Sequence, residues 1–401
     1  MRTPVRTRRE FLRALAGAGV VPVTAGSHPA AAARAGSRRP MFEERPLFLS
    51  GLGYTVYRIP ALLTTRRGTV LAFAEGRQTG GDHSQNDIVL RRSRDASFTW
   101  DPLIVVAQDR PNALVNPTVV EVRETGRVIL MYQRYPAGFH ERAVVPGYDG
   151  PRVCRTLIRV SDDDGASWSA PREITRQVKR PTGATSTACG PGIAVQLQRG
   201  ARRGRLVVPF NQGPTGAWKV YAALSDDRGE TWRYGATAPD ADSGLANEVQ
   251  MVELADGRLM LNARSMGGRR CRKVASSSDG GESWSPLADA TELPDPECQG
   301  TIIRYSWPGA FSRGRLLFAN AASAKAREHG TVRVSEDEGR TWRVSRVVCA
   351  SQFAYSCLTV LADGTIGLLY ERDEYGSITF ARFDLDWLRG TADYPPDPSA
   401  A

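Results

Sequence analysis

The feature that most constrains this chain is an eight-residue frame that recurs five times. The copies read SRDASFTW (93–100), SDDDGASW (161–168), SDDRGETW (225–232), SSDGGESW (277–284) and SEDEGRTW (335–342). The frame is S-x-D-x-G-x-S/T-W, with Ser97 at the glycine position of the first copy. Its chemistry is that of a tight turn. Ser and Asp side chains hydrogen-bond nearby backbone N–H groups, glycine takes a positive φ, and tryptophan plugs the apolar layer as the next strand begins. The segments before the copies are strand-like, among them Ile88-Val89-Leu90, Leu157-Ile158-Arg159-Val160 and Val220-Tyr221-Ala222-Ala223-Leu224. Ala255-Asp256-Gly257 and Ala362-Asp363-Gly364 read as hairpin turns, and no stretch of helical period stands out.

Successive copies start about 60 residues apart, room for a unit of four short strands. Residues 41–388 hold six such units, one of them lacking a readable copy. A tandem of separate sandwich domains would need longer units. The expectation is therefore an all-β fold, a six-bladed β-propeller. Asp163, Asp227, Asp279 and Asp337 are expected to be used up within their own turns.

A formal net charge of +10 over 401 residues invites a nucleic-acid reading, and its distribution argues against one. Residues 1–35 carry six arginines against one acid, half of the excess. They have a basic start, an apolar run over 12–25 too short to span a bilayer, and small residues near Ala33-Arg34-Ala35. Thr7-Arg8-Arg9-Glu10-Phe11-Leu12 resembles the twin-arginine export signal. The expected organisation is a signal peptide (1–35), a linker (36–40), the propeller (41–388) and a Pro-rich tail (389–401). The protein is expected to be secreted, with no membrane anchor and no nucleic-acid partner. The six cysteines form no CxxC pair and the four histidines are scattered, so no metal centre is indicated. An even cysteine count bound for an oxidising compartment leaves room for one or two disulfides of unreadable pairing, and folding before twin-arginine export weighs against them.

Together with Tyr57-Arg58-Ile59-Pro60, the repeats resemble the bacterial sialidase (exo-α-neuraminidase) family over nearly the whole mature chain. The eight-residue frame matches that family's Asp-box, and Tyr-Arg-Ile-Pro stands before the first box as it does there. The resemblance implies a substrate with a carboxylate on the carbon under attack, which arginines grip through paired, charge-assisted hydrogen bonds. It selects Arg58, Arg264 in Leu259-Met260-Leu261-Asn262-Ala263-Arg264-Ser265, and Arg327. It further implies Tyr355 as nucleophile, since a neutral phenol avoids the repulsion a carboxylate would meet, and Glu248 in Asn247-Glu248-Val249-Gln250 as its base. Asp82, in Gly80-Gly81-Asp82-His83, is the implied acid, with Asp87 as runner-up. Glu371 resembles the acid that orients Arg58, Arg77 an extra arginine near the carboxylate pocket, and Asn116 a residue of the N-acyl pocket. Taken alone, each of these is more simply a salt-bridge arginine, a core tyrosine or a loop hydrogen bond.

The implied function is a retaining exo-α-sialidase acting on sialylated glycans, as a monomer and without a cofactor. A non-catalytic sugar-binding propeller, or an enzyme favouring transfer or a deaminated nonulosonic acid, are the alternatives. The Gly/Pro-rich stretch 136–151 reads as a loop inserted over one blade.

Overall fold

The computed structural model describes residues 40–240, 244–310 and 313–390. The expected signal peptide and most of the expected linker and tail lie outside them. Six blades of antiparallel strands follow one another along the chain. The first comprises Val56–Thr64, Val70–Arg77, Asn86–Ser93 and Ile104–Ala107. The second comprises Ala113–Val122, Arg127–Tyr135, Arg155–Ser161 and Arg172–Glu173. The third is built on Leu206–Gln212, Lys219–Ser225 and Arg233–Tyr234, with the short Thr187–Cys189 and Val195–Gln196 on its inner edge. The fourth runs Leu245–Glu253, Leu259–Met266, Cys271–Ser277 and Ala288–Pro294.

The fifth and sixth blades share a strand. Val344–Val360 pairs through its first half with Glu328–Ser335 and through its second half with Ile366–Arg372. The sixth blade is completed by Ser377–Phe383 and, on its outer edge, by Phe42–Leu49 from the start of the described chain. This closure explains the missing repeat. In the first five blades the frame is the turn between third and fourth strands. In the sixth the fourth strand arrives from the other end of the chain, so there is no turn to make.

Within each copy the same hydrogen bonds recur. In the second, Gly165 N–H donates to Ser161 Oγ at 2.8 Å, Ser167 N–H to Asp163 Oδ1 at 2.9 Å and Ser167 Oγ to Asp163 Oδ2 at 2.6 Å. The first copy keeps the pattern, and the hydrogen bonds from Thr99 pull the Asp95 carboxyl down to about 2. The aspartates are thus spent on their turns, as expected.

The core is a ring of apolar wedges, one between each pair of neighbouring blades. Leu71, Phe73 and Leu90 meet Val119, Leu130 and Tyr132 between the first two, for example, and Val207, Ala222 and Leu224 meet Leu259, Leu261 and Ala275 between the third and fourth. The frame tryptophans enter these wedges. Trp168 lies edge-on to Phe73 of the first blade, and Trp100 edge-on to Phe380 of the sixth. The six cysteines are buried free thiols that pack as small apolar groups, so the disulfides allowed for by the sequence are not formed. Residues 136–154 form a loop between the second and third strands of the second blade, the insertion expected there.

Ser97 takes the glycine position of the frame at φ 76°, while Gly229 holds the equivalent place at φ 89° with room for no Cβ, which would lie 2.3 Å from Ile129. Opposite signs follow from the same position. Ser97→Gly is expected to leave stability unchanged or raise it by up to about 1 kcal/mol, and Gly229→Ala to lower it by about 1–3 kcal/mol. Urea unfolding midpoints of the two variants check this.

Candidate functional site

The innermost strands of four blades are each interrupted by a β-bulge, and each bulge carries a residue singled out from the sequence. Register shifts fall between Arg58 and Ala61, Val115 and Thr118, Ala246 and Val249, and Phe353 and Ser356. A bulge adds a residue, bends its strand and re-aims a side chain. Here it turns Arg58, Asn116, Glu248 and Tyr355 towards one end of the central channel. In two of the bulges the extra residue has positive φ and precedes a proline, Ile59-Pro60 and Asn116-Pro117. Proline, which lacks an N–H, is confined within sheets to edges and such interruptions.

These side chains line a cavity of about 340 Å³ together with Arg77, Asp82, Arg264 and Arg327. A larger space of about 760 Å³ lies at the opposite ends of the innermost strands, bordered by Thr64, Glu253, Arg304 and Thr359, and contains none of the residues singled out from the sequence. Tyr355 is at the centre of the smaller one. Its hydroxyl donates to Glu248 Oε1 in a short hydrogen bond and accepts from Arg264 Nη1 at 3.0 Å. Arg264 Nη1 also donates to Glu248 Oε2 at 2.8 Å, closing a triangle of phenol, carboxylate and guanidinium. Burial pushes the Tyr355 phenol well above its ordinary range and the Glu248 charge adds to this, against the opposing pull of Arg264 and Arg327. The resting phenol is therefore protonated.

Glu371, fully buried, ties the arrangement together. Its Oε1 accepts from Arg58 Nε and Ile59 N–H, both at 2.7 Å, and its Oε2 from Tyr355 N–H at 3.1 Å. One carboxylate thereby fixes the guanidinium and the backbone of two neighbouring bulges, and it offsets the penalty that burial places on the Arg58 charge.

Asp82 lies across the cavity on the loop after Val70–Arg77, with 62% of its side chain exposed. Arg77 Nη1 donates to its Oδ1 at 2.7 Å. Burial would raise this carboxyl, but the Arg77 charge and hydrogen bond outweigh it and hold it below the usual range. Arg77 is in turn held by Glu75, which also accepts from Asn116 N–H at 2.7 Å. Glu75 is fully buried, and desolvation lifts it to about 6 despite Arg77. Arg77 and Asn116 thus belong to one buried network. The runner-up acid, Asp87, is engaged elsewhere, taking hydrogen bonds from Tyr54 Oη, Gln108 Nε2 and Arg110 Nη2.

Several participants had no separable signal in the sequence. Glu141 and Arg142 reach the cavity from the inserted loop, and burial raises the Glu141 carboxyl. His83 packs edge-on against Tyr135 and His140, bracing the Asp82 loop on the insertion, and burial lowers it to about 4. Tyr375 stacks over Arg58, its ring centroid 4.0 Å from the guanidinium carbon. Only the three-dimensional arrangement brings these residues to the site. Among the described residues no group of three or more His, Cys, Asp or Glu side chains gathers as metal ligands.

Residues 68–368 match the BNR repeat-like domain. A sialidase from Micromonospora viridifaciens is 38% identical over 405 residues, covering 97% of this chain and 61% of its own length. An exo-alpha-sialidase from Aspergillus fumigatus is 29% identical, covering 88% of this chain and 92% of its own. A solved Hadza microbial sialidase superimposes with a TM-score of 0.75 at 28% identity, over 83% of this chain and 66% of that one. The chain thus spans less than two thirds of the length of the first of these relatives and of the solved structure. With three quarters of its length matching that domain, the chain belongs to the BNR-repeat sialidase family of six-bladed β-propellers.

Proposed function

We propose that this protein is an exo-α-sialidase that hydrolyses terminal α-linked sialic acids from glycoconjugates with retention of configuration, acting after export. The observation that carries this reading is the Tyr355–Glu248–Arg264 triangle, facing two further arginines in a cavity of monosaccharide size. The names borne by the relatives point the same way.

Three guanidinium groups converging in a half-enclosed space favour an anion, and the carboxylate of a sialoside is a small one of the right shape for paired hydrogen bonds. With that carboxylate bound by Arg58, Arg264 and Arg327, a carboxylate nucleophile would be repelled from the adjacent carbon. The neutral Tyr355 is not. Its proton already lies in a hydrogen bond to Glu248, so it can pass to that carboxylate as the phenolic oxygen attacks carbon 2. The Arg264 guanidinium stabilises charge on the oxygen during the transfer.

Asp82 protonates the departing glycan oxygen and later takes a proton from the water that attacks the sialyl-tyrosine. In the free enzyme Arg77 holds the Asp82 carboxyl below the usual range. Bound sugar would cover its exposed face and bring a second carboxylate near, and both effects favour the protonated form. The cycle returns the proton to Asp82 and the phenol proton to Tyr355, and needs no cofactor.

Wild-type protein is expected to release sialic acid from sialyllactose as the α-anomer first, read by proton NMR, and Tyr355→Phe to lose at least about 100-fold in kcat/KM. A β-anomer first product, no wild-type turnover, or an unimpaired variant would each sink the reading. The acid makes a separate prediction. Because kcat/KM follows the free enzyme and requires protonated Asp82, it should fall as pH rises through the depressed Asp82 limb. Arg77→Met removes the charge that depresses it, so the limb should move to higher pH. A limb left in place would assign the acid to another group.

A further inference from the structure

Of the three arginines assigned to the substrate carboxylate, two are held by carboxylates, Arg58 by Glu371 and Arg264 by Glu248. Arg327 is held differently. Its Nη1 donates to Tyr375 Oη at 3.1 Å and its Nη2 to the Glu297 carbonyl at 3.2 Å, both neutral acceptors. The same Tyr375 ring stacks on Arg58 at 4.0 Å. A single half-buried tyrosine therefore fixes one arginine by its face and another by its hydroxyl.

Its backbone conformation is unusual. Asp373, Glu374 and Tyr375 have φ of 55°, 51° and 69°, three consecutive non-glycine residues in the left-handed region. They belong to the four-residue loop joining Ile366–Arg372 to Ser377–Phe383, a length most often built around a type I turn with negative φ. Three left-handed residues in a row are strain, which persists only where surrounding contacts impose it. Those contacts are present: Ser50 Oγ donates to the Tyr375 carbonyl at 2.7 Å, Glu374 N–H to Gln352 Oε1 at 3.1 Å and Gly376 N–H to the Asp373 carbonyl at 2.8 Å. The strained turn delivers the phenol side chain between the two guanidinium groups.

We propose that Tyr375 is a positioning residue that presents Arg58 and Arg327 to the substrate carboxylate while leaving the Arg327 charge uncompensated. A carboxylate in its place would orient Arg327 equally well but would cancel part of the charge the substrate must meet. A neutral hydroxyl orients without competing, and the aromatic face holds Arg58 flat without taking its remaining donors. The effect belongs to binding, since the carboxylate contacts exist before and during bond cleavage alike.

This inference rests on the sialidase reading, and the test separates the two. KM and kcat for sialyllactose, and the Kd of an unsaturated sialic acid analogue by calorimetry, are measured for wild type, Tyr375→Phe and Tyr375→Ala, with thermal unfolding of each. Tyr375→Phe keeps the ring and loses the hydroxyl, so KM and Kd should rise about tenfold with kcat within about twofold of wild type. Tyr375→Ala loses both contacts and should weaken binding further. A merely structural role would lower the folded fraction and leave KM and Kd of the remaining enzyme unchanged. An unchanged Kd in folded Tyr375→Phe, or a fall in kcat at constant KM, overturns the role of Tyr375 while the sialidase reading stands. A wild type that neither hydrolyses the sialoside nor binds the analogue overturns both.

Discussion

A ring of blades is stable only if it closes, and here closure depends on one antiparallel pairing between chain segments more than 300 residues apart. Phe42–Leu49 pairs with Ser377–Phe383, beginning with Phe42 opposite Phe383. Phe42 also stacks on Trp387 at 4.5 Å, and Met41 N–H donates to Asp384. Every other blade is made of strands close in sequence. Without this pairing the sixth blade would expose its outer edge, and the wedge it shares with the first blade would lose its support. Long-range pairing is slow to form because the chain must be brought together before any contact rewards it. The five tryptophan-bearing turns are local by contrast, each made within eight consecutive residues.

The same closure assembles the cavity. Glu371 belongs to the sixth blade, Arg58 and Ile59 to the first, and Tyr355 to the strand shared by the fifth and sixth. The buried carboxylate that orients the first arginine is therefore also a latch between the two ends of the ring. Removing one member of such a buried, fully hydrogen-bonded set leaves the others unpaired in a low-dielectric interior. The geometry of the cavity and ring closure are coupled through one side chain.

Charge at the site is arranged by the same economy. The arginines gather because the blades bring one end of their strands to a common axis: a bulge aims Arg58 inward, while Arg264 comes from the second strand of the fourth blade and Arg327 from the turn before Glu328–Ser335. Acids accompany them in specific roles: Glu371 and Glu248 fix guanidinium groups, Glu75 holds Arg77, and Arg77 holds Asp82. The outcome is a cavity whose lining has more guanidinium groups than carboxylates, with a neutral phenol among them.

Much of this was legible in the linear chain. The recurring Ser, Asp, Gly and Trp determined the turns, and their spacing over residues 41–388 set the blade count. Arg58, Asp82, Glu248, Arg264, Arg327 and Tyr355 could be singled out through motifs that resemble a known family, and all of them line one cavity. The roles of Glu75, His83, Glu141 and Tyr375 could not be read, since each depends on a neighbour from a distant part of the chain. Nor could the fate of the cysteines, which depends on how far apart the blades hold them. Local hydrogen bonding and hydrophobic pattern are properties of a few adjacent residues, so the sequence alone determined the turns, the strands and the repeat. Which charges face one another is a property of closure, and only the tertiary structure decided that.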